Sequence, residues 1–102
     1  MLDFIQENYH KKISINDLVE VLDRSSTHLN QKFKEETSYT FNVFLNRYRI
    51  QKSIDLIKSG ENKICNIAIS VGFSSYRYFI SVFKKYTACL PGDFQEYFNK
   101  YG

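Results

Sequence analysis

Residues 75–87 read SYRYFISVFKKYT, and residues 25–37 read SSTHLNQKFKEET. At an offset of 50 positions, Ser25 aligns with Ser75, Leu29 with Phe79, Phe33 with Phe83 and Lys34 with Lys84. Each stretch follows a short apolar segment and a tight turn, DLVEVLDR at 17–24 and NIAISVGFS at 66–74, with the second turn one residue longer. A serine able to accept from first-turn amides, followed by apolar residues four apart, predicts a capped helix in both copies. The chain carries one supersecondary unit twice.

A short helix, a tight turn and a longer helix, duplicated, is the pattern of a pair of helix-turn-helix units. At 100° per residue, Phe79, Val82, Phe83 and Tyr86 share one face of the second longer helix, and Arg77, Ile80, Ser81 and Lys84 the opposite one. In the first copy Leu29 and Phe33 turn inward, while Thr27, Asn30, Gln31 and Lys34 turn outward. Thr, Asn, Gln and Arg can hydrogen-bond base edges, and an isoleucine can touch a thymine methyl. Lys34, Lys84 and Lys85 are placed to reach phosphates. Arg77 falls in the first turn of its helix, where a cation opposes the helix dipole, so its presence there points to a ligand.

Working outward, FNVFLNRYRIQKSIDLI between the copies predicts the longest helix, roughly 41–58, with Phe41, Phe44, Leu45, Tyr48, Ile50, Ile54 and Ile57 as one broad apolar stripe. Gly60 ends it. A first helix bears Leu2, Ile5 and Tyr9; a second, capped by Ser14 or Asn16, bears Ile15, Leu18, Val19 and Leu22. NKICNIAISV (62–71) predicts another short helix, and Pro91 opens the last. The expected fold is all-α, about seven helices, with a first helix-turn-helix subdomain at 1–40, a linker helix at 41–59 and a second subdomain at 60–102. An 18-residue rod is roughly 27 Å long, which would set two recognition helices about one DNA turn, 34 Å, apart.

Composition narrows the function. The 102 residues carry a net charge of +3, unevenly spread: residues 1–24 hold five acidic and three basic side chains, the remainder six and eleven. The basic surplus lies downstream of the first two helices. Cys65 and Cys89 form no CxxC and no disulfide framework, so they read as small hydrophobes in a reduced, cytoplasmic setting. No apolar run approaches the roughly 20 residues of a membrane span, and no signal peptide is recognisable. A metal site would need His10, His28, Cys65 and Cys89 to converge from four segments without a short ligand pair, so no metal is expected. His28 reads as packed beside Leu29, and Arg47 and Arg49 as solvated or paired with Glu35 or Glu36, with DNA contact the lesser alternative. There is no glycine-rich phosphate loop and no nucleophile motif, hence no expected enzyme activity and no cofactor.

IAISVGFSSYRYFISVFKKYTACLPGDF (67–94) resembles the second helix-turn-helix of the AraC/XylS family of bacterial transcription regulators. FNVFLNRYRIQKSIDLI resembles the family's linker helix, and INDLVEVLDRSSTHLNQKFKEETSYTF its first helix-turn-helix, so the likeness covers nearly all of the chain. The resemblance implies base contacts from Ser26, Thr27, Asn30 and Gln31 in one copy and from Tyr76, Arg77, Ile80 and Ser81 in the other, with a lid on the core as the alternative role of Tyr76. It implies double-stranded DNA as partner, with RNA polymerase as a further candidate and a domain monomeric on its own. Family members commonly carry a separate effector-binding or dimerising domain. Asp23, Ser38 and Ala88 stand where the family often has glycine, at a cost of about 1 kcal/mol wherever a left-handed backbone is kept. Gln95, Gln31 and Ser81 replace arginines common in the family. The alternative is a helical protein-interaction module whose outward strip binds an acidic partner.

Overall fold

The computed structural model describes residues 2–60 and 63–102. Seven helices follow in order: α1 (Leu2–Asn8), α2 (Ile15–Leu22), α3 (Ser26–Thr37), α4 (Phe41–Lys58), α5 (Ile64–Ser70), α6 (Tyr76–Thr87) and α7 (Pro91–Tyr101). No strand occurs among the described residues. The fold is all-α, two helix-turn-helix units (α2–α3 and α5–α6) on a long central helix. The helix expected at 62–71 is α5, and Asn62 lies outside the described residues.

Local chemistry sets the helix ends. Ser14 and Asp17 form a capping box on α2: the Ser14 hydroxyl accepts from the Asn16 amide at 3.3 Å, and Asp17 accepts from the Ser14 amide at 2.8 Å. Ser25 and Ser75 accept from the His28 and Tyr78 amides, both at 3.2 Å, so the aligned serines cap α3 and α6 with the same hydrogen bond. The duplication continues past the helices. The Thr37 hydroxyl donates to the Phe33 carbonyl at 2.7 Å and accepts from the Tyr39 amide at 3.2 Å. Thr87 repeats this with Phe83 at 2.7 Å and Cys89 at 3.3 Å. Both helices end in a left-handed residue, Ser38 (φ 73°) and Ala88 (φ 65°), and α2 ends likewise at Asp23 (φ 51°). These are the three positions singled out in the sequence, and none is glycine.

The core is double. Ile5, Leu18, Leu29, Phe33, Phe41 and Leu45 form one cluster, with Phe33 edge-on to Phe41. Ile50, Ile57, Ile67, Ala68, Val71, Phe73, Phe79, Val82 and Phe83 form the other. Among the described residues only Tyr9 packs against both. Helix α4 serves the first cluster with its first half and the second with its second half. At 100° per residue, Ile50 and Ile57 lie about 160–180° around the helix from Phe41, so the buried side swings to the opposite flank. The single apolar stripe expected of α4 is therefore two stripes. The molecule that results is elongated, 48 × 22 × 22 Å.

Candidate nucleic-acid interface

The two turns fix what α3 and α6 present. In each helix a pair of fully buried anchors, Leu29 with Phe33 and Phe79 with Phe83, holds one face against its core. On the other side Ser26, Thr27, Gln31 and Lys34 of α3 are exposed, as are Tyr76, Arg77, Ser81, Lys84 and Lys85 of α6. Arg77 makes no hydrogen bond or ion pair with any other described residue. Its five donors are free. Tyr76 is 47% exposed, its ring tilted against Phe79. The Ser81 hydroxyl donates to the Tyr78 carbonyl at 2.8 Å, leaving its lone pairs as acceptors.

Two expected contact residues sit deeper. Asn30 is half-buried, and its side-chain oxygen accepts from the Phe41 amide at 3.1 Å. Thr40, the residue at the N-cap of α4, makes no side-chain cap bond, so Asn30 caps α4 from across the turn. Ile80, the residue aligned with Asn30, packs partly buried against the second core. Helix α7 begins there with Pro91, aligned with Phe41, and proline has no N–H to cap. Donor and acceptor are present together in one copy and absent together in the other.

The reading of Arg49 as solvated or paired with Glu35 or Glu36 is overturned, whereas Arg47 is exposed as that reading allowed. Arg49 is 8% exposed and donates to the carbonyls of Tyr9 and Lys11, both at 2.8 Å, with its guanidinium 5.6 Å from the Phe73 ring centre. Burial lowers its pKa, opposed by the nearby Tyr78 hydroxyl. Arg47 stays on the surface, between the rings of Tyr39 (4.7 Å) and Tyr86 (5.0 Å). Two smaller readings also change: His28 and Cys65 are exposed, because neither lies on the anchored face of its helix.

His28 belongs to a feature that the sequence reading missed. With Leu22 and Leu29, the side chains of Arg24, His28 and Lys32 line a shallow concavity of about 280 Å³ on the flank of α3 away from Lys34. Their four-residue spacing was the available signal. The aligned residues of the second copy are Ser74, Tyr78 and Val82, so only the first unit has this basic flank. Among the described residues no group of three or more His, Cys, Asp or Glu is placed to hold a metal, and no helix is long and apolar enough to cross a membrane.

A family described as a helix-turn-helix domain matches residues 18–97, from α2 into α7. An AraC-type DNA-binding-domain protein from Chromobacterium violaceum has the same fold, with a TM-score of 0.84 at 19% identity over 99% of this chain and 90% of that one. The chain belongs to the AraC/XylS family. It is similar to the C-terminal domain of the two-component response regulator yesN from Fusobacterium nucleatum, with 34% identity and a TM-score of 0.86 over 92% of both chains. It is also similar to the transcriptional regulatory protein HptR of Staphylococcus aureus, 36% identical over 94 residues, which are 92% of this chain and 37% of HptR. The chain spans well under half the length of the curated relatives it matches, 37–38%. Like other AraC/XylS members it is a DNA-binding domain of the transcription-regulator type.

Proposed function

We propose that the chain reads double-stranded DNA with α3 and α6 in successive major grooves and regulates transcription from the site so bound. The carrying observation is the duplicated scaffold. Identical serine caps and paired aromatic or aliphatic anchors hold two helices whose outward residues differ, the arrangement needed to read two unlike half-sites with one chain. Ser26, Thr27 and Gln31 face the bases in one groove, and Tyr76, Arg77 and Ser81 in the other, with the partly buried Ile80 offering its methyl edge. Asn30 acts chiefly by capping α4, which steadies the helix from behind.

Phosphates are held on the flanks. Lys34 and Lys84 serve one side, and Lys85, about 100° further round α6, the other. Arg24, His28 and Lys32 serve the strand on the opposite side of the first groove, since a helix in the major groove has a backbone on each flank. In this reading residues 1–40 and 60–102 are the two subdomains and 41–59 the linker, with no catalytic role. The relatives' names support placing the chain as the DNA-reading part of a response regulator. A cytoplasmic setting, RNA polymerase as second partner and a unit monomeric on its own complete the proposal.

Selection of bound duplexes from a random pool tests the reading. It expects a site of about 20 base pairs covering two adjacent grooves, and affinity that falls steeply with salt. Recovery of no preferred sequence, with equal protection of random DNA, removes the specific-regulator reading. Salt-dependent capture of an acidic protein in its place would favour the interaction-module alternative.

A further inference from the structure

Two cores on opposite flanks of one helix can each be sound while the units they support tilt independently. What ties the units together is a belt of polar contacts around the middle of α4. On one side, the Arg49 guanidinium donates at 2.8 Å to the carbonyls of Tyr9 and Lys11, which follow α1 in the first unit. It also lies 5.6 Å from the ring centre of Phe73 in the second unit's turn. The chain just past a helix C-terminus offers free carbonyls, and a guanidinium is the side chain whose planar fork can reach two of them at once.

Gly72 makes the approach possible. It has φ 104°, and a Cβ there would collide with the Tyr9 carbonyl oxygen and lie 2.8 Å from Arg49 Nε. The two units meet backbone to backbone at this point, with Arg49 between them. Tyr9, which packs against both cores, sets its ring against Tyr48 one position before Arg49, at 5.2 Å.

Two braces act elsewhere around the helix. Asn46 donates to the Tyr78 hydroxyl of α6 at 2.9 Å. Arg47 lies between Tyr39, from the first unit's exit turn, and Tyr86, near the end of α6. At 100° per residue Arg47 and Arg49 are about 160° apart on the rod, so their ties resist tilting in opposite senses.

We infer that Arg49 is the positioning residue that fixes the register between the two reading heads, with Arg47 and Asn46 as braces. Its consequence for DNA rests on the function proposed above; its consequence for the free protein does not. The inference assigns the protein's preference for one half-site phasing to a polar belt remote from the bases.

Two measurements on the intact chain test it. In weakly aligning medium, amide residual dipolar couplings of the wild type are expected to fit one alignment tensor across both units. Arg49→Met, which keeps volume and loses both donors, should require two tensors. Arg47→Ala, at an exposed position that folding tolerates, should move the tensors in the same direction to a smaller extent, and Arg49→Lys should restore the single tensor only in part. On DNA, one base pair inserted between the half-sites of the selected duplex rotates them by roughly 34–36°. The wild type should lose at least about tenfold in affinity, the scale of one spoiled base-pair contact. Arg49→Met should lose less than about a third of that factor, while binding a single half-site as the wild type does. A single tensor in both Arg49→Met and Arg47→Ala, or an unchanged insertion penalty, overturns the inference. If the wild type selects no sequence, the DNA reading fails and the couplings alone decide the role of Arg49.

Discussion

Replacing Asn30 by alanine removes one hydrogen bond, 3.1 Å long, to the amide of Phe41. Phe41 is fully buried and Thr40 supplies no substitute cap, so the amide is left with an impoverished environment at the start of the longest helix. Loss of a cap costs typically about 1 kcal/mol, within a range of about 0.5–2; a donor left without a partner when buried adds toward the upper end. The expected destabilisation is about 1–2 kcal/mol, read in urea at constant m-value. For a domain of this size it lowers Tm by roughly 4–8 °C per kcal/mol. Asn30→Asp keeps an acceptor, with charge favourable at a helix N-terminus, and should retain most of the stability. Aligned positions 80 and 91 provide the control. Pro91→Ala creates an N–H facing Ile80, and adding Ile80→Asn should offset part of the cost, giving a favourable coupling in the double-mutant cycle. A loss below about 0.5 kcal/mol for Asn30→Ala, or Asn30→Asp as damaging as alanine, would refute the capping role.

Other expectations follow from single features. Ala88→Gly should stabilise by about 0.5–1 kcal/mol in urea, because an alanine is held at φ 65°; Asp23→Gly should gain less, since Asp tolerates that region better. Arg77→Ala should cost roughly 1–3 kcal/mol on the selected duplex and relax preference at one base pair in a repeated selection. Lys84→Ala should instead weaken binding to all sequences and reduce the salt slope by about 0.9. Gly72→Ala should destabilise by at least about 1 kcal/mol in thermal unfolding, because a left-handed backbone and a Cβ collision act together.

Much of this architecture is legible in the chain because it is local and repeated. Ser25 and Ser75, Leu29 and Phe79, Phe33 and Phe83 declare two capped, anchored helices without any tertiary information. Thr37 and Thr87 carry the same signal into the exit turns. The contact residues divide differently. Thr27, Gln31 and Arg77 are outward by helical phase alone. Asn30 is not, because its oxygen answers an amide eleven residues away in another helix. Arg49 has the same phase-blind character: a cation on a helix looks solvated until α1 delivers two carbonyls to it. The drift of the buried side along α4 escaped the reading because apolar residues on two opposite flanks sum to little amphipathicity, which a single wheel reads as one wide stripe.

That drift bears on how the molecule comes apart. Either lobe, severed near Tyr48, would carry away half a rod whose greasy flank had lost its cover, and would also forfeit the guanidinium clasp. Melting of one lobe therefore strips the other, so heating should give a single calorimetric transition with equal van't Hoff and calorimetric enthalpies, although two separate interiors lie along the chain.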